Sequence, residues 1–317
     1  MSFPIEKIVT GSGIDIYVIR CQMYRSMVGR VHVIPSLATV IDTGSEDASS
    51  RQDILYGFDV INSQYGVNFR PSDVRRVLLT HSHLDHIGGL PLFDNPLVER
   101  CIHKLDYQMI AQNRDYFASA LEYLETFFNL CGVPEEARPH LRECFLELSP
   151  RTVDYEVDHL FDDGDKIDEF TVIPTPGHTK GHSCFLLDDV LFAGDHVLSH
   201  TLPPIWPLLF GETLGYANYC KGTILIRKMV EEGIVKTLLP SHEQTIADPI
   251  ARLDSMEVSQ NRRFTKIHKY TKPLIEQGID PMPHAFQISQ KVYPTPPEYF
   301  TFFVFLDIGI RMEYEFL

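Results

Sequence analysis

The sequence predicts an α/β protein in which strands and helices alternate along the chain. Residues 51–65 have the apolar stripe of an amphipathic helix, and residues 74–79 follow as an apolar strand. Such alternation is expected of a layered α/β protein. With 317 residues, 44% of them hydrophobic, the chain can bury the core of one large domain plus an accessory piece.

The charge balance narrows the classes of partner. Lys and Arg number 28 against 43 Asp and Glu, a net charge of −15, which disfavours broad electrostatic capture of nucleic acid. No run of 18 apolar residues occurs and residues 1–11 lack a signal-peptide pattern, so we expect a cytoplasmic protein without a membrane partner. The six cysteines form no C-x-x-C pair, which favours reduced thiols.

The first elements are predicted to be an antiparallel sheet and a helix. Residues 14–20 and 31–41 have strand patterns, interrupted by Gly29 and Pro35. The second run ends in Asp42, which could start a turn. The helix over 51–65 has its apolar residues on one stripe, namely Ile54, Leu55, Phe58, Val60 and Ile61.

The segment after the strand at 74–79 carries the strongest functional signal. Residues 80–89 read T-H-S-H-L-D-H-I-G-G. His81 and His83 are two residues apart, so their rings can face one divalent metal ion in an extended or tightly turned segment. Asp85 and His86 can face a neighbouring site, and the glycine pair lets the backbone bend closely around the ligands. The pattern predicts a metal site, and a solvated histidine-rich loop is the alternative.

This H-x-H-x-D-H motif after an apolar strand resembles the metal-binding signature of the metallo-β-lactamase-fold hydrolases. Three further segments match the remaining ligands in the order of that family: T-P-G-H-T with His178, F-A-G-D with Asp195, and L-P-S-H with His242. Each follows a strand-like run, where side chains from distant segments can converge. The match spans residues 15–245. The resemblance implies a four-layered αββα sandwich, with a catalytic domain over residues 1–247.

The resemblance also implies a binuclear metal centre. The first ion would be held by His81, His83 and His178, the second by Asp85, His86 and His242, with Asp195 between them. These N and O donors fit zinc, and they also fit manganese or iron. Such a pair would activate water for attack on a carbonyl or phosphorus, and Asp85 would orient the nucleophile. In the family an acidic residue at the position of Asp42 supports the site without ligating, and we expect the same of His182.

Residues 104–150 are predicted to be a helical hairpin inserted after the metal motif. Apolar residues recur there with a period near 3.6, and the aromatic surface exceeds what one buried face requires. Two interpretations stay open, core packing or a lid bordering the substrate pocket. As a lid, the insertion would line the pocket with Tyr116, Phe117, Tyr123 or Phe128.

The loop after Asp195 is predicted to form part of the pocket wall. Residues 196–210 contain prolines that prevent a continuous helix, and they are unusually apolar for a loop. The chain then has the pattern of a helix over 214–232. A strand over 235–239 leads into His242.

Residues 248–317 are predicted to be a helical and hairpin extension. Residues 251–275 have a helical pattern and the only concentration of basic residues. The G-D-H-V-L-S-H run at 194–200 resembles the glyoxalase-II-like and endoribonuclease-like group, in which helices after the last ligand lead into a winged-helix tail. Residues 300–306 and 310–316 have strand patterns around 307–309, which predicts a hairpin, buried in a homodimer contact.

Two enzyme functions fit this set of residues. The leading one is hydrolysis of a carboxylic ester, thioester or lactone with an apolar acyl part, favoured by the acidic surface and the aromatic insertion. The partner would then be a small acyl substrate. The alternative is cleavage of phosphodiesters, including single-stranded RNA, favoured by the binuclear site and the basic segment 251–275. A single-iron redox role would leave the second ligand set unnecessary, and a regulatory protein with an inactive site is a further alternative.

Overall fold

The fold is built on two β-sheets. The computed structural model describes residues 3–23, 27–111, 113–146, 155–296 and 300–317. The strands are β1 Glu6–Val9, β2 Asp15–Gln22, β3 Val28–Ile34, β4 Thr39–Ile41, β5 Arg76–Leu78, β6 Glu99–His103, β7 His159–Phe161, β8 Lys166–Ile167, β9 Phe170–Pro174, β10 Ser183–Leu187, β11 Val190–Gly194 and β12 Thr237–Pro240. The first sheet has the order β1 to β7, and the second has the order β12-β11-β10-β9-β8.

The first sheet changes from antiparallel to parallel along its width. Strands β1 to β4 pair antiparallel, as predicted for the start of the chain. Strands β4 to β7 pair parallel, so their connections must cross over the sheet. In the second sheet β11 and β12 are parallel, while β8 to β11 are antiparallel. Neighbouring parallel strands have their carboxyl ends at the same edge of the sheet. The candidate functional residues lie at this edge.

Helices cover the outer face of each sheet. They are α1 Ala48–Tyr65, α2 Leu84–Ile87, α3 Lys104–Ala111, α4 Asn113–Leu130, α5 Arg138–Leu146, α6 Tyr216–Glu231, α7 Pro249–Glu276, α8 Ala285–Val292 and α9 Thr301–Phe316. The predicted helices over 51–65, 214–232 and 251–275 correspond to α1, α6 and α7. Within the described residues, no helix combines the length and the apolar character needed to cross a membrane.

Three buried clusters show the layer order. Side chains from both sheets meet in one of them, which includes Leu78 of the first sheet and Phe192 of the second. Phe58 of α1 packs in a second cluster with Ile19 on the outer face of the first sheet. The third cluster joins the second sheet, including Leu191, to helices α4, α6 and α7 to α9. The predicted four-layered αββα sandwich is therefore confirmed.

The insertion at 104–150 is helical, as predicted, and its described part consists of α3, α4 and α5. Phe127 and Phe128 of α4 are fully buried beside Phe305 of α9. Phe128 therefore has the core-packing role. The side chains of Tyr116 and Phe117 lie outside the described residues, so the lid prediction is untested for these two.

The hairpin predicted for 300–306 and 310–316 is wrong, because residues 301–316 form the single helix α9. Residues 310–316 alternate between apolar and polar side chains, which imitates the two-residue period of a strand, and two of the polar residues, Arg311 and Glu313, are buried in the helix packing. The described part of 248–317 consists of helices, without the strands of a winged-helix tail. The predicted domain division at 247 and the homodimer stay predictions, although the hairpin that was to form the dimer contact does not exist.

Gly309 allows α9 to approach α4 closely. A Cβ atom built at this position would lie 2.7 Å from Cζ of Phe127 and 3.3 Å from Sγ of Cys131. Alanine is the better helix former, but here its methyl group would overpack the core. Close contact between these two helices therefore depends on the absence of a side chain.

We predict that Gly309→Ala lowers the free energy of unfolding by about 1–3 kcal/mol because of this overpacking. Chemical denaturation followed by circular dichroism measures the change. Ser255→Ala, at an exposed position of α7, is the control and should change stability by less than about 0.5 kcal/mol. Equal stabilities of wild type and Gly309→Ala would contradict the packing described here.

Candidate metal centre

The seven side chains predicted as metal ligands all lie at strand ends or on turns at one edge of the sandwich. The segment after β5 contributes the first four, and α2 begins within it. His178 lies on the turn between β9 and β10, Asp195 follows β11, and His242 follows β12. Gly89 permits the tight bend after the motif, because a Cβ there would lie 1.8 Å from the carbonyl oxygen of Thr43. The structure thus brings together residues separated by up to 161 positions in sequence.

Three imidazoles form the first part of the centre. Nε2 of His81 lies 2.9 Å from Nδ1 of His83. The ring of His178 has its centroid 4.8 Å from that of His81 and 4.6 Å from that of His83. One nitrogen from each of these residues lies within 4.8 Å of the others, a spacing that can surround one metal ion.

The second part combines two imidazoles with a carboxylate. Oδ2 of Asp85 lies 3.3 Å from Nε2 of His242 and 3.7 Å from Nε2 of His86. Asp195 lies between the two parts, with Oδ2 3.4 Å from Nε2 of His178 and Oδ1 3.5 Å from Nε2 of His242. The Asp195 carboxylate is thus placed where a bridging ligand would be required.

Hydrogen bonds behind the rings orient their free nitrogens toward the centre. Nδ1 of His86 donates to Oδ2 of Asp42 (2.9 Å), Nδ1 of His178 to the carbonyl of Pro204 (2.7 Å) and Nδ1 of His242 to the carbonyl of Val28 (3.1 Å). Since carboxylates and carbonyls can only accept, each Nδ1 carries the proton. The lone pair of a neutral ring is therefore on Nε2, which faces the centre.

Three buried atoms of the centre have no hydrogen-bond partner among the described residues. They are Nε2 of His86, Nε2 of His178 and Oδ1 of Asp195. A buried polar atom without a partner is costly, and native proteins rarely leave one unexplained. Divalent cations accept electron pairs from imidazole nitrogens and carboxylate oxygens, so the arrangement of these residues fits bound metal ions.

The two parts of the centre differ in their protonation. Burial and the neighbouring imidazoles lower the pKa of His83 to about 3, and burial lowers that of His178 to about 4 despite the hydrogen bond to Pro204. Burial also opposes charge on His86 and His242, but the nearby carboxylates outweigh it and raise their pKa values to about 9 and about 10. Near neutral pH the first part offers neutral nitrogens, while a cation entering the second part would replace protons.

Asp42 supports the centre from behind and does not merely start a turn. Its carboxylate accepts hydrogen bonds from the backbone N–H and the hydroxyl of Thr80, from the hydroxyl of Ser241, and from His86. His182 is also a supporting residue, as expected. Its Nε2 accepts from the backbone N–H of Asp195 and its Nδ1 bonds the hydroxyl of Thr175, so neither nitrogen is free to ligate.

Asp106 of α3 contacts the loops of the centre, and the sequence did not reveal this role. Its buried carboxylate accepts from the backbone N–H of Ser82 (2.9 Å), the hydroxyl of Thr179 (2.7 Å) and the backbone N–H of Gly181 (2.6 Å). Ser82 lies between His81 and His83, whereas Thr179 follows His178 directly. One carboxylate therefore fixes the two loops that carry the first part of the centre. No local pattern marks this residue within the helical insertion.

Glu243 has a similar role for the loop over 196–210. It adopts the left-handed conformation with φ 66°, and its carboxylate accepts from the hydroxyl of Ser199 and the backbone N–H groups of His200 and Thr201. Arg252 of α7 holds the same loop through the carbonyls of Leu198 and Thr201. This loop is thereby fixed beside His242.

A cavity of about 1140 Å³ opens onto the centre. Ligand pockets usually measure roughly 300–1,000 Å³, so this one is large. Its lining includes five of the predicted ligands, His83, Asp85, His178, Asp195 and His242. The loop over 196–210 forms part of the wall, as predicted, through Leu198, residues 201–206 and Phe210.

Apolar side chains form most of the remaining cavity wall. The insertion contributes Met109, Ala120 and Phe145, while α9 contributes Phe303 and Ile310, among others. Tyr123 and Phe128 are absent from this lining, so the insertion borders the cavity through residues other than the two described aromatics predicted for a lid. The insertion thus packs in the core and also walls the cavity.

Comparison with known proteins shows the family of this chain. The sequence model described as the metallo-beta-lactamase superfamily matches residues 33–242, about two thirds of the chain. The chain belongs to the metallo-β-lactamase superfamily. Its relatives there include enzymes named as thioesterases, hydroxyacylglutathione hydrolases and metallo-hydrolases, so this chain is a hydrolase of that superfamily.

Several relatives match most of the chain. Human acyl-coenzyme A thioesterase MBLAC2 is 28% identical over 229 residues, which cover 70% of this chain and 75% of that protein. The probable metallo-hydrolase YqjP of Bacillus subtilis is 23% identical over 237 residues, covering 72% and 70%. The metallo-beta-lactamase family protein TTHA1429 of Thermus thermophilus has a similar fold, with a TM-score of 0.68 at 20% identity over 94% of this chain and 92% of its own.

We predict that purified, metal-loaded protein binds about two divalent ions per chain, because the seven side chains form two clusters of donors. His242→Ala should abolish binding of the second ion and leave the first largely bound. Elemental analysis after dialysis measures the stoichiometry. His268→Ala, at an exposed histidine of α7, is the control and should keep the wild-type metal content. A single tightly bound ion in the wild type at every metal concentration would contradict the two-cluster arrangement.

We predict that Asp106→Asn weakens binding of the first ion by about 10- to 100-fold, because an amide cannot accept from all three donors. Competition with a chromophoric chelator measures the affinity. Asp59→Asn, at an exposed position of α1, is the matched control and should bind metal normally. Unchanged affinity in Asp106→Asn would show that the two loops keep their positions without this carboxylate.

Proposed function

We propose that this chain is a binuclear metal-dependent hydrolase that cleaves a thioester or ester with a long apolar acyl group. The observation that carries this proposal is the large, mostly apolar cavity whose lining includes five of the predicted metal ligands. An acyl chain in this cavity would place its carbonyl beside the centre. Burial of its methylene groups would supply binding free energy.

One ion would be held by His81, His83 and His178. The other would be held by Asp85, His86 and His242, and Asp195 would contact both ions. Two bound divalent ions, zinc or alternatively manganese or iron, would supply Lewis acidity and lower the pKa of a water molecule between them. The pKa of Asp85 lies well below its usual range despite burial, because His86 and His242 are close to it. Asp85 also lines the cavity, so an ionised carboxylate faces the substrate and can orient the attacking water through a hydrogen bond.

The leaving group is proposed to be a thiol on the basis of similarity. The MBLAC2 relative is named as an acyl-coenzyme A thioesterase, and it covers most of both chains. A thioester also fits the chemistry of the site, because a thiolate leaves readily and does not require a strong general acid. Burial raises the pKa of Asp106 in the cavity wall, but its carboxylate already accepts from three donors and is not placed to protonate a leaving group.

The alternative of phosphodiester cleavage finds less support. Two cationic side chains of the basic helix α7 lie beside acidic partners of their own: His268 pairs with Glu315 and Lys272 with Glu276. Charges that are compensated within the protein contribute little to counterion release on binding a nucleic acid. A charged phosphate backbone also does not require a large apolar cavity for binding.

We predict that kcat/KM rises about fourfold per added methylene until the acyl chain fills the cavity, since each buried methylene contributes about 0.8 kcal/mol. Val304→Phe, which adds bulk to the α9 wall, should shorten the chain length at which this rise stops. Assays of saturated acyl thioesters of increasing length, with a thiol-trapping dye, measure the series.

Val258→Phe is the matched control, because Val258 is exposed on α7 away from the cavity. It should reproduce the wild-type series. Metal analysis of each variant excludes an indirect loss of the centre. A flat dependence on chain length in the wild type would contradict an acyl-binding role for the cavity.

A further inference from the structure

The cavity wall formed by α7 and α9 contains two arginines that share one carboxylate. Nη1 of Arg263 and Nη2 of Arg311 both donate to Oδ1 of Asp307, at 2.8 Å and 2.9 Å. All three side chains line the cavity. Predicted metal ligands line another part of the same cavity. Two guanidinium groups against one carboxylate leave one positive charge uncompensated. We call Arg263 and Arg311 the arginine pair.

Arg311 is almost completely buried, at 1% exposure. Its Nε and Nη1 have no hydrogen-bond partner among the described residues. The guanidinium lies over the rings of Tyr216 and Phe264, at 4.7 Å and 5.4 Å from their centroids. Ring faces attract the cation but do not accept its N–H groups as an anion would. A buried cation with unused donors is costly to retain for packing alone.

Arg263 is the accessible member of the arginine pair, because its side chain is 28% exposed to solvent. The neighbouring cavity surface is apolar and includes Phe303 and Ile310. A charge beside an apolar wall interacts more strongly with an opposite charge than it would in water. Guanidinium groups also match the two oxygens of a carboxylate or phosphate.

From this arrangement we propose that the arginine pair binds an oxyanion of the substrate. Two parts of a thioester could supply it, a carboxylate at the far end of the acyl chain or a phosphate of the thiol leaving group. The inference rests on the proposed function, since it assigns one end of the substrate to the same cavity. It adds an anion-binding position to a mostly apolar binding surface and so predicts which acyl thioesters are preferred.

The test compares four substrates with one acyl length that fills the cavity. Two are thioesters of the neutral thiol N-acetylcysteamine, one with a methyl end and one with an ω-carboxylate. The other two are the corresponding thioesters of coenzyme A. Wild-type protein should prefer the ω-carboxylate, and Arg263→Gln should lower this preference about tenfold or more, as for loss of a charge-assisted hydrogen bond. Arg263→Lys, which keeps the charge, should lose less.

The comparison of coenzyme A thioesters with N-acetylcysteamine thioesters distinguishes the two sources of the oxyanion. If the phosphate is bound instead, Arg263→Gln lowers the preference for coenzyme A over N-acetylcysteamine and leaves the ratio between acyl ends constant. Arg262→Gln, one position away and exposed, is the matched control and should keep both wild-type ratios. Thermal unfolding of each variant checks that it is folded.

The inference is overturned if Arg263→Gln changes neither ratio, or if it lowers kcat/KM by the same factor for all four substrates. Failure of the proposed function would give a different result, because the metal-loaded protein would then hydrolyse none of the thioesters. In that case thioether analogues of the four compounds are titrated by calorimetry. Equal affinities for charged and neutral analogues in wild type and Arg263→Gln would then overturn the inference.

Discussion

The buried carboxylate of Asp42 holds together the strand ends on which the candidate metal centre depends. Thr80 follows β5 of the first sheet and Ser241 follows β12 of the second, and both donate to this one side chain. His86 donates to it as well. Asp42 adopts φ 55°, a conformation that costs a non-glycine residue roughly 1–2 kcal/mol. The hydrogen bonds must offset that cost, and they fix the two sheets in register at the edge where the ligands converge.

Much of the fold and the centre could be predicted because the signals are local. The seven ligands each follow an apolar strand, so short segments of sequence reveal both the residue and its place at a strand end. Asp106 could not be found this way, because its partners lie on two other segments of the chain, Ser82 on one and Thr179 and Gly181 on the other. Helix α9 was predicted incorrectly because its polar and apolar residues alternate over 310–316, and a local pattern cannot show that the polar Arg311 and Glu313 are buried by tertiary packing.

The insertion at 104–150 acts on the centre and on the cavity at once. Asp106 of α3 fixes the loops of His81 and His178, while Met109 on the same helix lines the cavity. The hydroxyl of Ser82 lies 3.1 Å from the sulfur of Met109, so the cavity wall touches the metal motif directly. Core packing and bordering the pocket, two separate interpretations at the level of sequence, are therefore both properties of one segment.

Some walls of the cavity are linked by hydrogen bonds to the residues that position the predicted ligands, and others are not. This difference affects how substrate range can change during evolution or protein engineering. Substitutions in α3, or in the loop that Glu243 holds beside His242, act on residues that also position predicted ligands. Phe303 and Ile310 of the α9 wall are apolar, so their side chains form no hydrogen bond to the centre. Changes of substrate range are therefore most accessible at these positions of α9, where the shape of the cavity can vary while the residues that position the predicted ligands stay unchanged.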